Sequence, residues 1–454
     1  MPYVEGFGTY PFGEEWLFDA VARSHLPVLE VAERLTMTIT PVLADQLEAG
    51  GVGERMLAFL RRHRLEAAER DAAGADRELR PAAAADAEHY RRAIERLESL
   101  EGNALRAFQE AAAGGRIELM ASAATHAVLP KLATRAGRRL QVDAGLRSHR
   151  RRFGSPAGFW LPECAYVPGL ESILAEGGIL YTCLDQSARE PGEAALAPVR
   201  LEGGPVGFTI DWPAVELVWS DGGYPADGRY LEYHRLSPNG IRLWSIAGEP
   251  YDPGDAAVRA REHAGAFLAS VRERLVRHRE RGGRPGLCVF AIDTELLGHW
   301  WAEGPAWLAA VLEGAGEHGV RPLTLSEALA EHEPERRPVG EASWGEGKSL
   351  ETWDSPAVAD LTRAARRLEL RLLRFLEGGD FHPAAAERAA RELLAVQASD
   401  WAFLDHRGEA GDYPYARATA HAEALLEAID SAQAPDARMR NLAPDLSLAP
   451  LLEP

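Results

Sequence analysis

GFWLPECAY (158–166) and LCVFAIDTELLGHWW (287–301) are the stretches of this 454-residue chain that decide its fold. Each begins as a short apolar run that ends at a carboxylate, Glu163 in the first and Asp293 in the second. Helical stretches separate further short apolar runs, which lie at 117–121, 179–184 and 241–247. Because strands that alternate with helices pair in parallel, this pattern predicts βα units around a mostly parallel sheet, either closed as a barrel or open.

Both carboxylates fall where a predicted strand ends. In parallel α/β folds the carboxyl ends of the strands share one mouth, so Glu163 and Asp293 are expected to face it. Burial among aromatic side chains can raise the pKa of a carboxyl group. Two carboxylates across one pocket are the minimum equipment for glycosidic bond chemistry. Either residue alone would more often cap a helix or pair with an arginine; the two together predict a catalytic pair.

Helical patterns dominate two other regions. Residues 51–113 are rich in Ala, Arg, Glu and Leu, which predicts two or three amphipathic helices. Further helices are predicted at 255–281, 357–378, 383–400 and 410–433. The expected organisation is the start of the barrel at 1–50, a helical insertion at 51–113, the remainder of the barrel at 114–334, a helical C-terminal domain at 335–433 and an extended tail at 434–454.

Composition excludes several classes of function. The 69 acidic and 50 basic side chains give a formal net charge of −19, which disfavours nucleic acid and anionic membranes as partners. No run approaches about 18 apolar residues, so no membrane span is predicted, and the first residues lack a signal-peptide pattern. Three widely spaced cysteines fit a reducing compartment, so we expect the cytoplasm. No metal-ligand spacing is found, so we expect no metal and no other cofactor.

Aromatic side chains near the predicted strand ends favour a carbohydrate ligand, because sugar rings stack their apolar faces on aromatic planes. Those in or beside these loops are Trp160, Tyr166, Trp219, Tyr224, Trp300, Trp301, Trp344 and Trp353. Tryptophans also fill protein cores, an interpretation that suits Trp344 and Trp353 less well because their loop is polar and glycine-rich. His126 and His299 are expected either to orient a substrate group or to be structural histidines.

Six longer motifs resemble a known family. They are YPFGEEWLFDA (10–20), ELMASAATHAVLP (118–130), WLPECAYVPG (160–169), IDTELLGHWWAEG (292–304), ASWGEGKSLETW (342–353) and VQASDWAF (396–403). In this order, and over nearly the whole chain, they resemble glycoside hydrolase family 57, most closely its 1,4-α-glucan branching enzymes. The resemblance implies an α/β fold, a distorted (β/α)7 TIM-like barrel with a helical insertion and an all-α C-terminal domain.

The resemblance also implies roles for individual residues. Glu163 is the expected nucleophile on an α-1,4-linked glucan and Asp293 the general acid/base of a retaining mechanism, for which carboxyl groups about 5–5.5 Å apart are typical. A glucose 6-hydroxyl as acceptor gives branching, water gives hydrolysis and a 4-hydroxyl gives disproportionation. The candidate substrate-binding residues are Tyr10, His126, Trp160, Trp219, His299, Trp300, Trp344, Trp353, Asp400 and Trp401.

Two features depart from the family pattern. Family members begin with a strand that carries an H-x-H pair before L-P-Y-V, whereas this sequence begins M-P-Y-V (1–4). We therefore expect the first barrel strand to be missing or truncated, with the true start upstream of Met1. Relatives also carry a long loop with a tyrosine at its tip, and the equivalent stretch here, 185–199, is short and contains no tyrosine. That loss favours water as acceptor.

The sequence thus predicts a cytoplasmic, retaining 1,4-α-glucan branching enzyme. Its expected partner is amylose, glycogen or a maltooligosaccharide, with the protein a monomer or small homo-oligomer. An α-amylase or 4-α-glucanotransferase on the same site is the first alternative, and a weakly active glucan-binding protein is the second. A metal-dependent polysaccharide deacetylase on a related barrel is a distant third, since its ligand histidines are not visible in the sequence.

Overall fold

The computed structural model describes residues 13–189, 195–408, 410–430 and 441–453. Tyr10 and the predicted loss of a first barrel strand concern residues outside these ranges. The central sheet within them has six strands: β1 Leu35–Thr38, β2 Ile117–Ser122, β3 Gly158–Trp160, β4 Tyr181–Leu184, β5 Val199–Arg200 and β6 Val206–Thr209. Their order is β1-β2-β3-β4-β6-β5, and every pair is parallel except β5 with β6.

The apolar run at 287–292 continues this sheet beside β6. A parallel bridge joins Ile210 to Val289, and the Asp211 N–H donates to the Val289 carbonyl at 2.8 Å. Asp293 follows this run directly, so it emerges on the same side as the residues after β3 and β4. The predicted parallel α/β architecture is therefore confirmed.

Helices precede and follow β1 along the chain. They are α1 Glu14–Ala20, α2 Leu26–Val31, α3 Pro41–Leu47, α4 Val52–Phe59, α5 Glu66–Gly74, α6 Arg80–Ser99 and α7 Leu105–Ala113. Two π-helical turns, Val21–His25 and Leu60–Leu65, lie between α1 and α2 and between α4 and α5. The rest of the barrel contributes α8 Arg135–Phe153, α9 Leu170–Glu176, α10 Trp212–Val215, α11 Pro253–Gly282, α12 Gly304–Gly314 and α13 Leu325–Glu331.

The C-terminal part is helical. It comprises α14 Ala359–Glu377, α15 Pro383–Val396, α16 Ser399–Arg407, α17 Tyr413–Asp430 and α18 Ala449–Leu452. The apolar stripe of α14 packs against α15, α17 and the barrel helix α8 in one core, to which Leu140, Leu372 and Leu393 contribute. Among the described residues, none of the helices is both long and apolar enough to span a bilayer.

Two elements differ from the sequence prediction. The run at 241–247 is not a barrel strand, because its residues form antiparallel bridges with Leu231, Leu236 and Pro250. Its apolar side chains Ile241 and Leu243 instead cover the alanine-rich helices α5 and α6. The predicted extended tail is also wrong for residues 441–453, which end in the short helix α18 packed against α8. Burial of apolar tail residues fixes this segment on the barrel.

Candidate active site

Glu163 projects from a tight turn at the end of β3. The turn Pro162–Cys164 places Glu163 at φ 62° and Cys164 at φ 50°, a left-handed conformation that is costly for residues other than glycine. Leu161, Pro162 and Cys164 are buried and hold the turn, while the Glu163 side chain keeps 15% of its surface exposed. Such strain is typical of functional sites, where the surrounding structure over-determines an unfavourable backbone.

Trp344 binds this turn through two hydrogen bonds. Its indole Nε1–H donates to Glu163 Oε2 at 2.9 Å, and its backbone N–H donates to the Glu163 carbonyl at 3.0 Å. Trp160 packs edge-on against the Trp344 ring, with 5.2 Å between the ring centroids. Trp160 and Trp344, two of the candidate substrate-binding residues, thus lie beside the predicted nucleophile, and the Trp344 indole orients its carboxylate.

His126 lies on the other side of Glu163, where Nδ1 is 3.5 Å from Glu163 Oε1. It also has a left-handed backbone, at φ 57°. The C-terminal helices hold this residue, because Ser399 Oγ lies 3.0 Å from His126 Nδ1 and the Ser399 N–H donates to the His126 carbonyl at 3.2 Å. Asp400, the next residue of α16, is half-buried. Ser399 was not predicted from the sequence, since it lies 273 positions from His126.

Asp293 directly follows the 287–292 run, and its side chain is exposed. The protein around it desolvates the carboxyl group, and the negative charges of Glu295 and Glu163 add to this effect, so that its pKa rises to about 7. A carboxyl group that stays protonated near neutral pH can donate a proton in a reaction. Cys164 and Ile292, the chain neighbours of Glu163 and Asp293, pack in one apolar cluster, so the two carboxylates emerge from adjacent parts of the sheet end.

An exposed aromatic surface adjoins the Asp293 loop. Trp300 is 44% exposed, and Tyr233 stacks on it with 4.6 Å between ring centroids. Trp16 of α1 meets the edge of Trp300 at 6.4 Å and is 37% exposed. Trp219, at 51%, is exposed as well. These rings offer planes to a sugar, and neither Trp16 nor Tyr233 was singled out from the sequence, where each stands isolated.

Some predicted substrate-binding residues lie in the core instead. Trp353 is 2% exposed, in a cluster with Leu350 and Val358. Trp401 is 1% exposed and its indole donates to the Ala395 carbonyl at 2.7 Å. Neither ring can stack on a sugar in this structure, because apolar side chains of the C-terminal part cover both.

His299 is structural rather than open to substrate. It is 2% exposed, and its Nδ1 lies 3.7 Å from Asp19 Oδ2. Burial lowers its pKa to about 4, which the nearby Asp19 opposes. Across the described ranges, no cluster of three or more His, Cys, Asp or Glu side chains is arranged to hold a metal ion.

Known proteins resemble this chain in both the barrel and the C-terminal helices. Residues 1–204 match the sequence profile of glycosyl hydrolase family 57, and residues 360–445 match the C-terminal profile of 1,4-alpha-glucan branching enzymes. A 1,4-alpha-glucan branching enzyme of Thermococcus kodakarensis is 32% identical over 93% of this chain and 70% of its own length. The chain belongs to glycoside hydrolase family 57.

Solved family 57 structures share the fold. The branching enzyme of Pyrococcus horikoshii superposes with a TM-score of 0.91 at 30% identity, covering 100% of this chain and 95% of its own. The alpha-amylase AmyC of Thermotoga maritima superposes with a TM-score of 0.87 at 25% identity, covering 100% and 97%. The predicted distorted (β/α)7 barrel with an all-α C-terminal domain is thereby confirmed for this family 57 member.

Proposed function

We propose that this family 57 protein is a retaining 1,4-α-glucan branching enzyme. The observation that carries the proposal is the contact between the C-terminal helices and His126, which lies beside the candidate nucleophile. The part of the chain that matches the branching-enzyme profile supplies Ser399, which holds His126 beside Glu163. A helical domain of this kind is then part of the active site, not an appendage to the barrel.

In the first step Glu163 attacks the anomeric carbon of an α-1,4-linked glucose unit. The bond to the leaving 4-oxygen breaks while Asp293 gives that oxygen its proton, so a glucosyl-enzyme ester and a shortened chain result. The Trp344 indole fixes the orientation of the attacking carboxylate. The raised pKa of Asp293, about 7, keeps its proton available at neutral pH.

In the second step the 6-hydroxyl of a glucose unit on an acceptor chain attacks the same anomeric carbon. Asp293, now ionised, takes the hydroxyl proton, and the ester bond to Glu163 breaks. The product is an α-1,6 branch, and both residues return to their starting protonation states. Trp219, Trp300 and Trp16 are the exposed rings that would stack on donor or acceptor chains.

The substrate in this proposal is an uncharged α-1,4-glucan such as amylose, glycogen or a maltooligosaccharide. The formal net charge of −19 does not oppose binding of a neutral polymer. Cys164, Cys183 and Cys288 are all free thiols, which supports a reducing compartment, the cytoplasm. The protein would work as a monomer or a small homo-oligomer.

Hydrolysis is the second candidate function. The structural likeness to the Thermotoga maritima alpha-amylase and the short stretch at 185–199 favour it. In that case water, not a sugar hydroxyl, would attack the glucosyl-enzyme, with the same two carboxylates in the same roles.

Incubation of the purified protein with amylose separates the two functions. Branching produces new α-1,6 linkages, which a debranching enzyme releases as short chains, whereas hydrolysis raises reducing ends alone. Glu163→Gln and Asp293→Asn should each lower turnover by at least about 1000-fold, because each removes a reacting group. Glu176→Gln, which changes an exposed carboxylate of α9, is the matched control. Unchanged turnover in Glu163→Gln would refute the enzyme proposal and leave a glucan-binding protein.

A further inference from the structure

The loop that carries Trp344 also carries Lys348, four residues further along the chain. This segment, 343–349, is named the Trp344 loop below. Ser343 is fully buried, and its hydroxyl donates to the Ser349 carbonyl at 2.6 Å, which joins the two ends of the loop. Because the loop is closed in this way, the positions of its two side chains depend on each other.

The two side chains contact different strand ends of the barrel. Trp344 donates to Glu163, which lies in the turn after β3. Lys348 Nζ lies 3.4 Å from Oδ2 of Asp185, the residue directly after β4. Since β3 and β4 pair in parallel, both carboxylates follow strands that end at the same edge of the sheet. The Trp344 loop therefore bridges two neighbouring strand ends.

Several groups converge on the carboxylate of Asp185, which is 0% exposed. The Ser187 N–H donates to Oδ1 at 2.8 Å, and the indole of Trp212, the first residue of α10, donates to Oδ2. The Lys348 ammonium group lies over the face of the Trp212 ring, where a cation is attracted, and beside the carboxylate. A buried carboxylate is costly without such partners, so this arrangement gives the ammonium group a defined position.

The backbone of Lys348 is strained. It has a left-handed conformation, at φ 57°, and follows Gly347, at φ 64°. This conformation is easy for glycine and costly for lysine, so it persists where surrounding contacts impose it. A lysine thus stands where the backbone alone favours glycine, and the contacts of its ammonium group supply the reason.

We propose that Lys348 is a positioning residue that anchors the Trp344 loop on Asp185 and Trp212 and so keeps the Trp344 indole on the carboxylate of Glu163. Without the ammonium group the loop loses this contact with the end of β4, and the indole leaves the carboxylate more often. Lys348 itself forms no bond with the reacting atoms. The inference rests on the proposed function in giving Glu163 the role of nucleophile.

The first test is a double-mutant cycle of Lys348→Met and Trp344→Phe, measured as α-1,4 cleavage. Methionine keeps an unbranched side chain and removes the charge. Alone, Lys348→Met should lower kcat by about 5- to 10-fold and change KM by less than about twofold, since no sugar contact is lost. In the Trp344→Phe background it should lower kcat by less than about twofold, because the hydrogen bond that Lys348 maintains is already absent.

Lys131→Met is the matched control, since Lys131 and Lys348 are the only lysines in the sequence. Lys131 pairs at 2.8 Å with Asp354, which lies outside the Trp344 loop, so kcat should stay within about twofold of the wild type. An unchanged kcat in Lys348→Met overturns the proposal. A loss of equal size with and without Trp344 overturns it as well, because Lys348 would then act by a route that does not include the indole.

A second measurement depends neither on turnover nor on the folding of a Lys348 variant. In Lys131→Met the one remaining lysine is Lys348, so acetylation neutralises that side chain, whereas reductive methylation keeps its charge. Both reagents also modify the terminal amino group, whose effect is therefore common to the two samples. The NMR signal of the Trp344 indole N–H is identified by its absence from Trp344→Phe. It should move, and exchange faster with water, after acetylation but not after methylation.

An indole signal that acetylation leaves in place contradicts the inference, and so does an equal change with both reagents. If the wild type cleaves no glucan, the proposed function fails on its own. The indole signal still decides whether the charge of Lys348 holds Trp344 on Glu163.

Discussion

At the scale of the residue, the orientation of the candidate nucleophile depends on its hydrogen bonds with Trp344. Its indole and its backbone N–H bind the side chain and the carbonyl of the same residue, Glu163. One tryptophan thereby fixes both the strained turn and the direction of the carboxylate. A hydrogen bond to a charged group contributes about 1.5–3 kcal/mol, which is enough to govern how often the carboxylate points at the substrate.

Trp344→Phe should therefore lower the rate of α-1,4 cleavage by about 10- to 100-fold. Phenylalanine keeps an aromatic ring against Trp160 and removes the indole donor, so the loss should appear in kcat more than in KM. Trp307→Phe is the control, because its buried indole nitrogen has no hydrogen-bond partner in the described structure. A change of less than about twofold in Trp344→Phe would show that the carboxylate is held by other groups.

Trp344 and Trp353 also show how far a sequence can predict a site. They lie nine positions apart in one polar, glycine-rich loop, and no local pattern distinguishes one from the other. The structure exposes Trp344 to Glu163 and buries Trp353 against Val358 and Ala402. The sequence sufficed to place Glu163 at the end of a strand, since strand-end position is a local property. Burial of a loop residue depends on segments distant in the chain, which no local pattern reports.

At the scale of the element, short buried strands carry little periodic signal. The sequence predicted β2, β3 and β4 but missed β1 (LTMT) and β6 (VGFT), which are four residues each and mix polar with apolar side chains. Conversely, 241–247 alternates like a strand because Ile241 and Leu243 cover helices. The π-helical turn Val21–His25 has no sequence signature either, since the loop at Thr294–Leu296 that it contacts is about 270 residues away.

The contact between the π-helical turn and the loop after Asp293 predicts that two glycine substitutions differ in their effect on the free energy of unfolding. Gly298→Ala should destabilise the protein by about 3–4 kcal/mol, since a left-handed alanine costs about 1–2 kcal/mol and overpacking against Arg23 adds more. Gly248→Ala, at φ +88° with nothing within 4 Å of the added Cβ, should lose only the conformational part. Urea unfolding measures both, and equal losses would show that the turn yields to the extra methyl group.

At the scale of the whole molecule, one buried carboxylate joins the C-terminal helices to the barrel. Glu369 of α14 is fully buried and accepts hydrogen bonds from the backbone N–H groups of Ala133 and Thr134, at 3.0 and 2.8 Å. The Thr134 hydroxyl and the Gln397 amide donate to it as well. Ala133 and Thr134 lie at the N-terminus of α8, where a negative charge is also favoured by the helix dipole. Burial raises the pKa of Glu369, and these donors oppose the rise.

Glu369→Gln should consequently weaken the packing of the C-terminal helices on the barrel. Four donors converge on two carboxylate oxygens, and a glutamine NH2 group cannot accept from any of them, so at least one buried donor loses its partner at a cost of about 1–3 kcal/mol. Glu377→Gln, an exposed change at the end of the same helix, should stay within about 0.5 kcal/mol of the wild type.

Thermal unfolding, followed together with α-1,4 cleavage, distinguishes Glu369→Gln from Glu377→Gln. Because Gln397 precedes Ser399 by two residues, loosening at Glu369 should release His126 and abolish cleavage below the temperature at which the barrel unfolds. Simultaneous loss of cleavage and barrel structure in Glu369→Gln would mean that the C-terminal helices hold the site without this carboxylate.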